Sequence, residues 1–281
     1  MLNLRVGAAI AALTFAPFWT SPALADDQPL AAVPSSQWHA ALEDGLCHLV
    51  RTFRAGDAEI QFILRRRAPG YNFELNVVSD TLDRRNRTPH TQYGLGTEPL
   101  RHGYSFRLKD GDWEGFGANI PADYFDNPVE QSLVITDAFE EDFALDLQNI
   151  NSALMVMDQC LDEVLRSWGL DPIQQRALSK MAVPNERSGE ILSGLTMRTS
   201  RVRDRLDQDS IYFIAMVDGE GIATSCRAEG EANEYDDVQD ACREILQHAR
   251  FEPALDADGE PVESFVIIET WIYTYTQHIF L

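Results

Sequence analysis

The chain has 281 residues, and its 45 acidic against 23 basic side chains give a formal net charge of −22 and a pI near 4.5. Because this charge repels phosphate, we expect no nucleic-acid partner and no loose electrostatic hold on anionic lipid. With 44% hydrophobic residues, the chain is long enough to bury two cores of ordinary size.

The N-terminus has the pattern of an export signal. Arg5 precedes an apolar run, and Ala23-Leu24-Ala25 has the small-x-small pattern of a signal-peptidase site. We therefore predict a signal peptide over residues 1–25, cleavage after Ala25 and a periplasmic location. The alternative is an inner-membrane anchor, because residues 6–25 carry no charge and are long enough to span a bilayer.

The next part of the chain predicts a small α+β module. Residues 26–37 are polar, contain two prolines and predict a flexible entry. From Trp38 onwards, short runs of alternating apolar and polar residues are separated by turns, which is typical of a meander of hairpins. The runs cover residues 47–53, 59–64, 73–77, 104–108, 113–118 and 133–136. An apolar stripe then predicts a helix over residues 151–168, which Gly169 ends. The module is therefore assigned to residues 38–169.

Residues 170–190, with two further prolines, are predicted to link this module to the last part of the chain, residues 191–281. An extended linker of that length reaches about 60 Å. The last part predicts strand, turn, strand, helix and strand. The predicted elements are a strand over 211–217, an acidic glycine turn over 218–221, a strand over 222–226, a helix over 236–249 and a β run over 265–275.

The C-terminal part also combines several short motifs. Cys226 follows the glycine turn, Cys242 lies on the predicted helix, and the segments ARFEPA (residues 249–254) and DGEPV (residues 258–262) precede the last β run. This combination resembles the C-terminal domain of TonB-type energy transducers.

The N-terminal module has motifs of its own: Pro34-Ser35-Ser36 before Trp38, Cys47 in CHLVRTF, and SWGLDP over residues 167–172. They are similar to exported, sphingomonad-like proteins in which such a module precedes a TonB-like domain. We therefore expect an α+β fold with two domains: an N-terminal antiparallel β-meander closed by a helix, and a C-terminal TonB-like ββαβ domain.

Four cysteines in an exported chain suggest disulfides, although four cysteines allow three connectivities. Proximity within each part favours the pairs Cys47–Cys160 and Cys226–Cys242. The chain has no Cys-x-x-Cys pair and no histidine at ligand spacing from these cysteines, so we expect no zinc site.

The sequence offers no catalytic constellation. None of the six histidines stands in a metalloprotease pattern, and neither a nucleophile elbow nor a phosphate-binding glycine loop occurs. We expect neither an enzyme activity nor a cofactor.

The TonB resemblance implies a binding function associated with transmembrane transport: the domain would add a segment of an outer-membrane receptor to its sheet as an extra strand. The candidate edge is the last strand, where Phe265, Ile267, Trp271 and Tyr273 would supply side-chain contacts. The alternative is a structural or regulatory envelope protein that uses this domain only as a scaffold. The expected partner is an envelope protein, either a receptor or a transducer complex, and the sequence leaves a homodimer open.

Overall fold

The computed structural model describes residues 28–43, 45–83, 91–96, 99–107, 113–125, 132–199 and 210–271. These residues form a mixed α+β fold in which sheet exceeds helix and which includes four α-helices. The predicted fold class is therefore confirmed at this level. The predicted signal peptide lies outside the described residues.

The N-terminal unit, residues 28–169, is built on one large sheet. Its strands are β1 (Leu30–Pro34), β2 (His39–Glu43), β3 (Leu46–Ala55), β4 (Ala58–Arg66), β5 (Phe73–Ser79), β6 (Gln92–Leu95), β7 (Arg101–His102), β8 (Tyr104–Arg107), β9 (Glu114–Ile120), β10 (Ser132–Thr136) and β11 (Phe143–Asp146). Their order is β7-β6-β10-β11-β1-β3-β4-β5-β9-β8, and β2 pairs with β3. The expected hairpins of the meander are present from β2 to β5, but β1 runs parallel to β11 and antiparallel to β3.

The two ends of this sheet meet at Gly103, which connects β7 to β8. The Gly103 N–H donates to the Thr91 carbonyl at 2.8 Å, and the hydroxyls of Thr91 and Ser105 lie 3.0 Å apart. A Cβ at position 103 would stand 2.2 Å from the ring of Phe116, so only glycine fits this approach. The sheet is therefore nearly closed.

Helix α1 (Ile150–Ser167) packs against β2 and β3 of this sheet. Its apolar stripe includes Met157 and Leu161, which are buried in the same core as Phe53, Phe62 and Phe116. The apolar stripe that predicted this helix is thus the side that the helix buries.

Two segments that we predicted as connections are ordered parts of the fold. Residues 26–37 contain β1, whose Ala32 is buried, because the strand fits between β11 and β3 and its Pro34 lies at the strand end. Residues 170–190 are not an extended linker. They contain α2 (Pro172–Arg176), β12 (Val183–Pro184) and the start of α3 (Glu186–Thr199), with Leu170 and Ala182 buried.

The C-terminal unit, residues 182–271, has a three-stranded sheet. Its remaining elements are β13 (Ser210–Val217), β14 (Ala223–Ala228), a 3-10 helix (Gly230–Glu234), α4 (Asp236–His248), β15 (Phe251–Glu252), β16 (Ala254–Leu255), β17 (Pro261–Val262) and β18 (Ser264–Trp271). The strand order is β14-β13-β18, with antiparallel pairing throughout. The predicted hairpin and helix are confirmed, whereas α3 was not predicted.

Each unit has its own hydrophobic core, and a third cluster joins them. On one face of the C-terminal sheet, Phe213, Val266 and Ile268 share a core with α4. On the other face, Met216 and Phe265 pack against Leu165 of the N-terminal unit. The C-terminal sheet is therefore covered on both faces, by its own helices and by the N-terminal unit.

Candidate functional site

The strand that we selected as a binding edge, β18, lies at one end of the C-terminal sheet. It pairs with β13 from Ser264↔Val217 to Trp271↔Ser210, and among the described residues no strand pairs with its other side. One row of its backbone N–H and C=O groups consequently points away from the sheet.

The face of β18 is occupied at its N-terminal half. Phe265 is 1% exposed, stacks on Tyr71 with ring centroids 5.8 Å apart, and meets the edge of Trp168 at 5.1 Å. Ile267 is half-buried in the same cluster. Two of the four side chains that we expected to contact a partner, Phe265 and Ile267, therefore contact the N-terminal unit.

The outward row of β18 is also capped at one position. The Ile267 N–H donates to the hydroxyl of Tyr71 at 2.9 Å. Burial raises the pKa of this hydroxyl. Strand alternation directs the N–H groups of Glu269 and Trp271 to the same side as that of Ile267. The C-terminal half of β18 therefore holds the edge groups that Tyr71 does not reach.

The other two edge residues are placed differently. Trp271 ends the described strand, and its backbone pairs with Ser210. Tyr273 lies outside the described residues. Glu269 is exposed and accepts a hydrogen bond of 2.9 Å from the hydroxyl of Tyr212 on β13.

Both disulfides join the pairs that proximity favoured. Cys47–Cys160 ties β3 to α1, and Cys226–Cys242 ties β14 to α4. Each bond therefore holds a helix against the sheet on which it packs. Two disulfides are consistent with an exported protein.

A network of charged side chains connects the two units beside the apolar contact. The guanidinium of Arg67, just after β4, pairs with Glu74 on β5 and with Glu229 of the C-terminal unit, the latter at 3.2 Å. The same guanidinium lies 3.4 Å above the ring of Tyr212. Arg67 is thus the ionic centre of the contact between the units.

A cavity of about 400 Å³ opens between the units next to this network. His48, Arg65 and Glu74 stand opposite one another on β3, β4 and β5 and form one wall. Tyr212 and Glu229 of the C-terminal unit also line it. Both units therefore contribute to one polar, partly open space.

Burial shifts the pKa values of three groups in the cavity wall. Desolvation lowers the pKa of His48, and the nearby Arg65 lowers it further. Desolvation raises the pKa of Glu229 despite the opposing charge of Arg67. It also raises the pKa of the Tyr212 hydroxyl. These directions follow from the removal of ionisable groups from water.

This cavity was not among the predicted sites. Its one local signal is the run Arg65-Arg66-Arg67 at the end of a predicted strand, which is unusual in so acidic a chain. Glu229 lies 162 positions from its partner Arg67, and no local pattern predicts that contact.

No three His, Cys, Asp or Glu side chains in the described part of the chain converge as a metal centre requires. Of the described helices, none has both the length and the hydropathy of a bilayer span.

Comparison of the chain with protein-family models, with curated proteins and with solved structures gives no match. The TonB resemblance therefore stays a prediction that rests on the motifs of residues 217–272.

Proposed function

We propose that the protein is an exported, TonB-like protein that binds a cell-envelope protein by adding a strand of that partner to the edge of β18. The observation that carries the proposal is the position of β18 at the end of the C-terminal sheet, with no described strand beyond it. An edge of this kind offers backbone hydrogen bonds to an extended peptide, and side chains on alternate positions select its sequence.

The proposed contact lies at the C-terminal half of β18. Tyr71 and Trp168 already cover the first half, around Phe265 and Ile267. An incoming strand would pair first with the backbone of Glu269 and Trp271, and it would extend towards Ile267 only by displacing the hydroxyl of Tyr71. A segment of a TonB-dependent outer-membrane receptor is the proposed partner, which places the protein in transmembrane transport.

The experiment is a titration of oxidised protein, residues 26–281, with synthetic N-terminal segments of outer-membrane receptors from the same cell envelope. Backbone amide shifts are followed by NMR. We expect saturable shifts that are largest from Ile267 to Trp271. The absence of shifts at millimolar peptide would contradict receptor binding.

The second candidate function is a structural or regulatory envelope protein in which the TonB-like unit is a scaffold. The observation that favours it is the contact between the units, which buries Phe265 and caps Ile267. Here envelope association would be carried by residues 38–169 and would survive deletion of residues 189–281, whereas strand addition requires the deleted part.

The export signal belongs to the same proposal. Mass spectrometry of protein purified from the periplasm should give a chain that begins at Asp26. A chain that keeps residues 1–25 and sediments with the inner membrane would support the anchored alternative.

A further inference from the structure

We propose that the cavity between the two units binds a small zwitterion, a molecule that carries both a carboxylate and an ammonium group, such as a free α-amino acid or a short peptide. No described residue of β18 lines this cavity, and its test does not depend on strand addition.

The first observation is a concentration of unsatisfied polar atoms. Three side chains that line the cavity each bury a polar atom that has no hydrogen-bond partner within the described ranges: Nε2 of His48, Nε of Arg65 and Oε1 of Glu229. Buried polar atoms are nearly always hydrogen-bonded in folded proteins, so each orphaned one calls for a partner from outside the chain, a water or a ligand. Three around one cavity point to a molecule with several polar groups.

The second observation concerns the free donor. Arg67 has two carboxylate partners, whereas Arg65 forms no ion pair with any described residue. Arg65 lies opposite His48 and Glu74 in the register of the sheet, so its position along the cavity wall is fixed by the strands. A guanidinium without an ion-pair partner fits a carboxylate, which can accept hydrogen bonds from two of its N–H groups.

The third observation concerns the free acceptors. Oε2 of Glu229 receives the hydrogen bond from Arg67, which leaves Oε1 unused. The His48 ring hydrogen-bonds the backbone of Glu43, and its lowered pKa keeps the ring neutral at pH 7, so that Nε2 offers a lone pair. A carboxylate oxygen and a neutral imidazole nitrogen together accept hydrogen bonds from an ammonium group.

The balance of charge selects a zwitterion over a simple ion. A ligand with negative charge alone would meet Glu43, Glu74 and Glu229, and a ligand with positive charge alone would meet Arg65 and Arg67. A molecule with both charges can place each against its opposite. The volume of about 400 Å³ lies in the usual range of small-ligand sites.

The test is a thermal-unfolding screen of the oxidised protein with the twenty amino acids and a set of dipeptides at millimolar concentration. Each compound that raises Tm is compared by calorimetry with its N-acetylated form, which lacks the ammonium, and its amide, which lacks the carboxylate. We expect at least one zwitterion to raise Tm by about 3 °C. We expect either blocked form to bind at least about tenfold more weakly, because it leaves a charged group of the site unpaired.

Two variants test whether the zwitterion binds in the cavity. Arg65→Gln should weaken the binding of the zwitterion at least about tenfold, since it removes the charged fork but no ion pair of the described fold. Arg54→Gln, at an exposed position of β3, is the matched control and should bind as the wild type does. Binding that survives Arg65→Gln, or blocked forms that bind equally well, would overturn the proposal. A screen in which no zwitterion raises Tm would also overturn it and would leave a water-filled cavity.

Discussion

The substitution Tyr71→Phe separates the contact observed at the edge of β18 from the partner binding that we propose there. It removes the hydroxyl that receives the Ile267 N–H at 2.9 Å but keeps the ring that stacks on Phe265. Leaving this N–H without its partner should lower the free energy of unfolding by about 1–3 kcal/mol.

The same substitution should strengthen partner binding if strands add to β18. In the wild type an incoming strand must displace the Tyr71 hydroxyl before it reaches Ile267. Removal of this competitor is worth about one net hydrogen bond, or about 1 kcal/mol, which corresponds to about a fivefold lower Kd for the receptor segment.

Urea unfolding measures the first effect and titration calorimetry with the receptor segment measures the second. The matched control is Tyr93→Phe, which removes a hydrogen bond of 3.1 Å to the carbonyl of Asn119 inside the N-terminal unit. It should also destabilise the protein, but without any change in peptide affinity. A Tyr71→Phe protein that binds the segment no better than the wild type would refute the reasoning.

Three further predictions concern the fold. Replacing both cysteines of Cys47–Cys160 by alanine should lower the free energy of unfolding by about 5 kcal/mol, and the same change at Cys226–Cys242 should lower it by about 3 kcal/mol. The reason is that the first bond closes a loop of 113 positions and the second a loop of 16. Equal losses in urea unfolding would contradict this chain-entropy estimate. Gly103→Ala should destabilise the protein by about 1–3 kcal/mol through its clash with the neighbouring strand, whereas Gly194→Ala in α3, with open space around it, should be neutral or stabilising in the same assay. The contribution of His48 to stability should fall as the pH drops below 6.5, because the pKa of this ring is lower in the fold than in the unfolded chain, which therefore takes up the proton first. His48→Gln should remove this contribution from the pH profile, and an unchanged profile would contradict the assignment.

Local patterns predicted the elements whose signal is carried within a short window. The stripes of α1 and α4 and the alternating runs of β3, β4 and β5 correspond to the observed elements, since each pattern reports the side that the element buries. Both disulfide pairs also followed from proximity along the chain.

The errors arose where pairing over long distances decides the structure. β1 was predicted as a flexible entry because Pro29 and Pro34 suggest a loop, but β11 and β3 pair with it on both sides. α3 was missed because its glycines and polar residues give only a weak apolar stripe. The closure of the sheet at Gly103 joins two local hairpins, β6–β7 and β8–β9, whose places at the two ends of the sheet are set by the longer-range pairings β6–β10 and β5–β9.

In the candidate site, too, features with a local sequence signal were predicted and features that depend on long-range contacts were not. The final β run predicted β18 and its strand character, but the contact from Tyr71 to Ile267 spans 196 positions and has no local signal. The cavity between the units is lined by charged residues, which a single sequence suggests are solvated side chains. Only the register of β3, β4 and β5 and the contact with Glu229 bring these residues around one cavity.

Amide hydrogen exchange along β18, with and without a bound receptor segment, tests strand addition most directly. The N–H groups of Glu269 and Trp271 point away from β13, and a strand added at this edge would take them into hydrogen bonds. We predict at least about tenfold slower exchange at both positions when the segment is bound, with no change at the edge of β14. Unchanged exchange at Glu269 and Trp271 in the presence of a saturating segment would contradict the proposal.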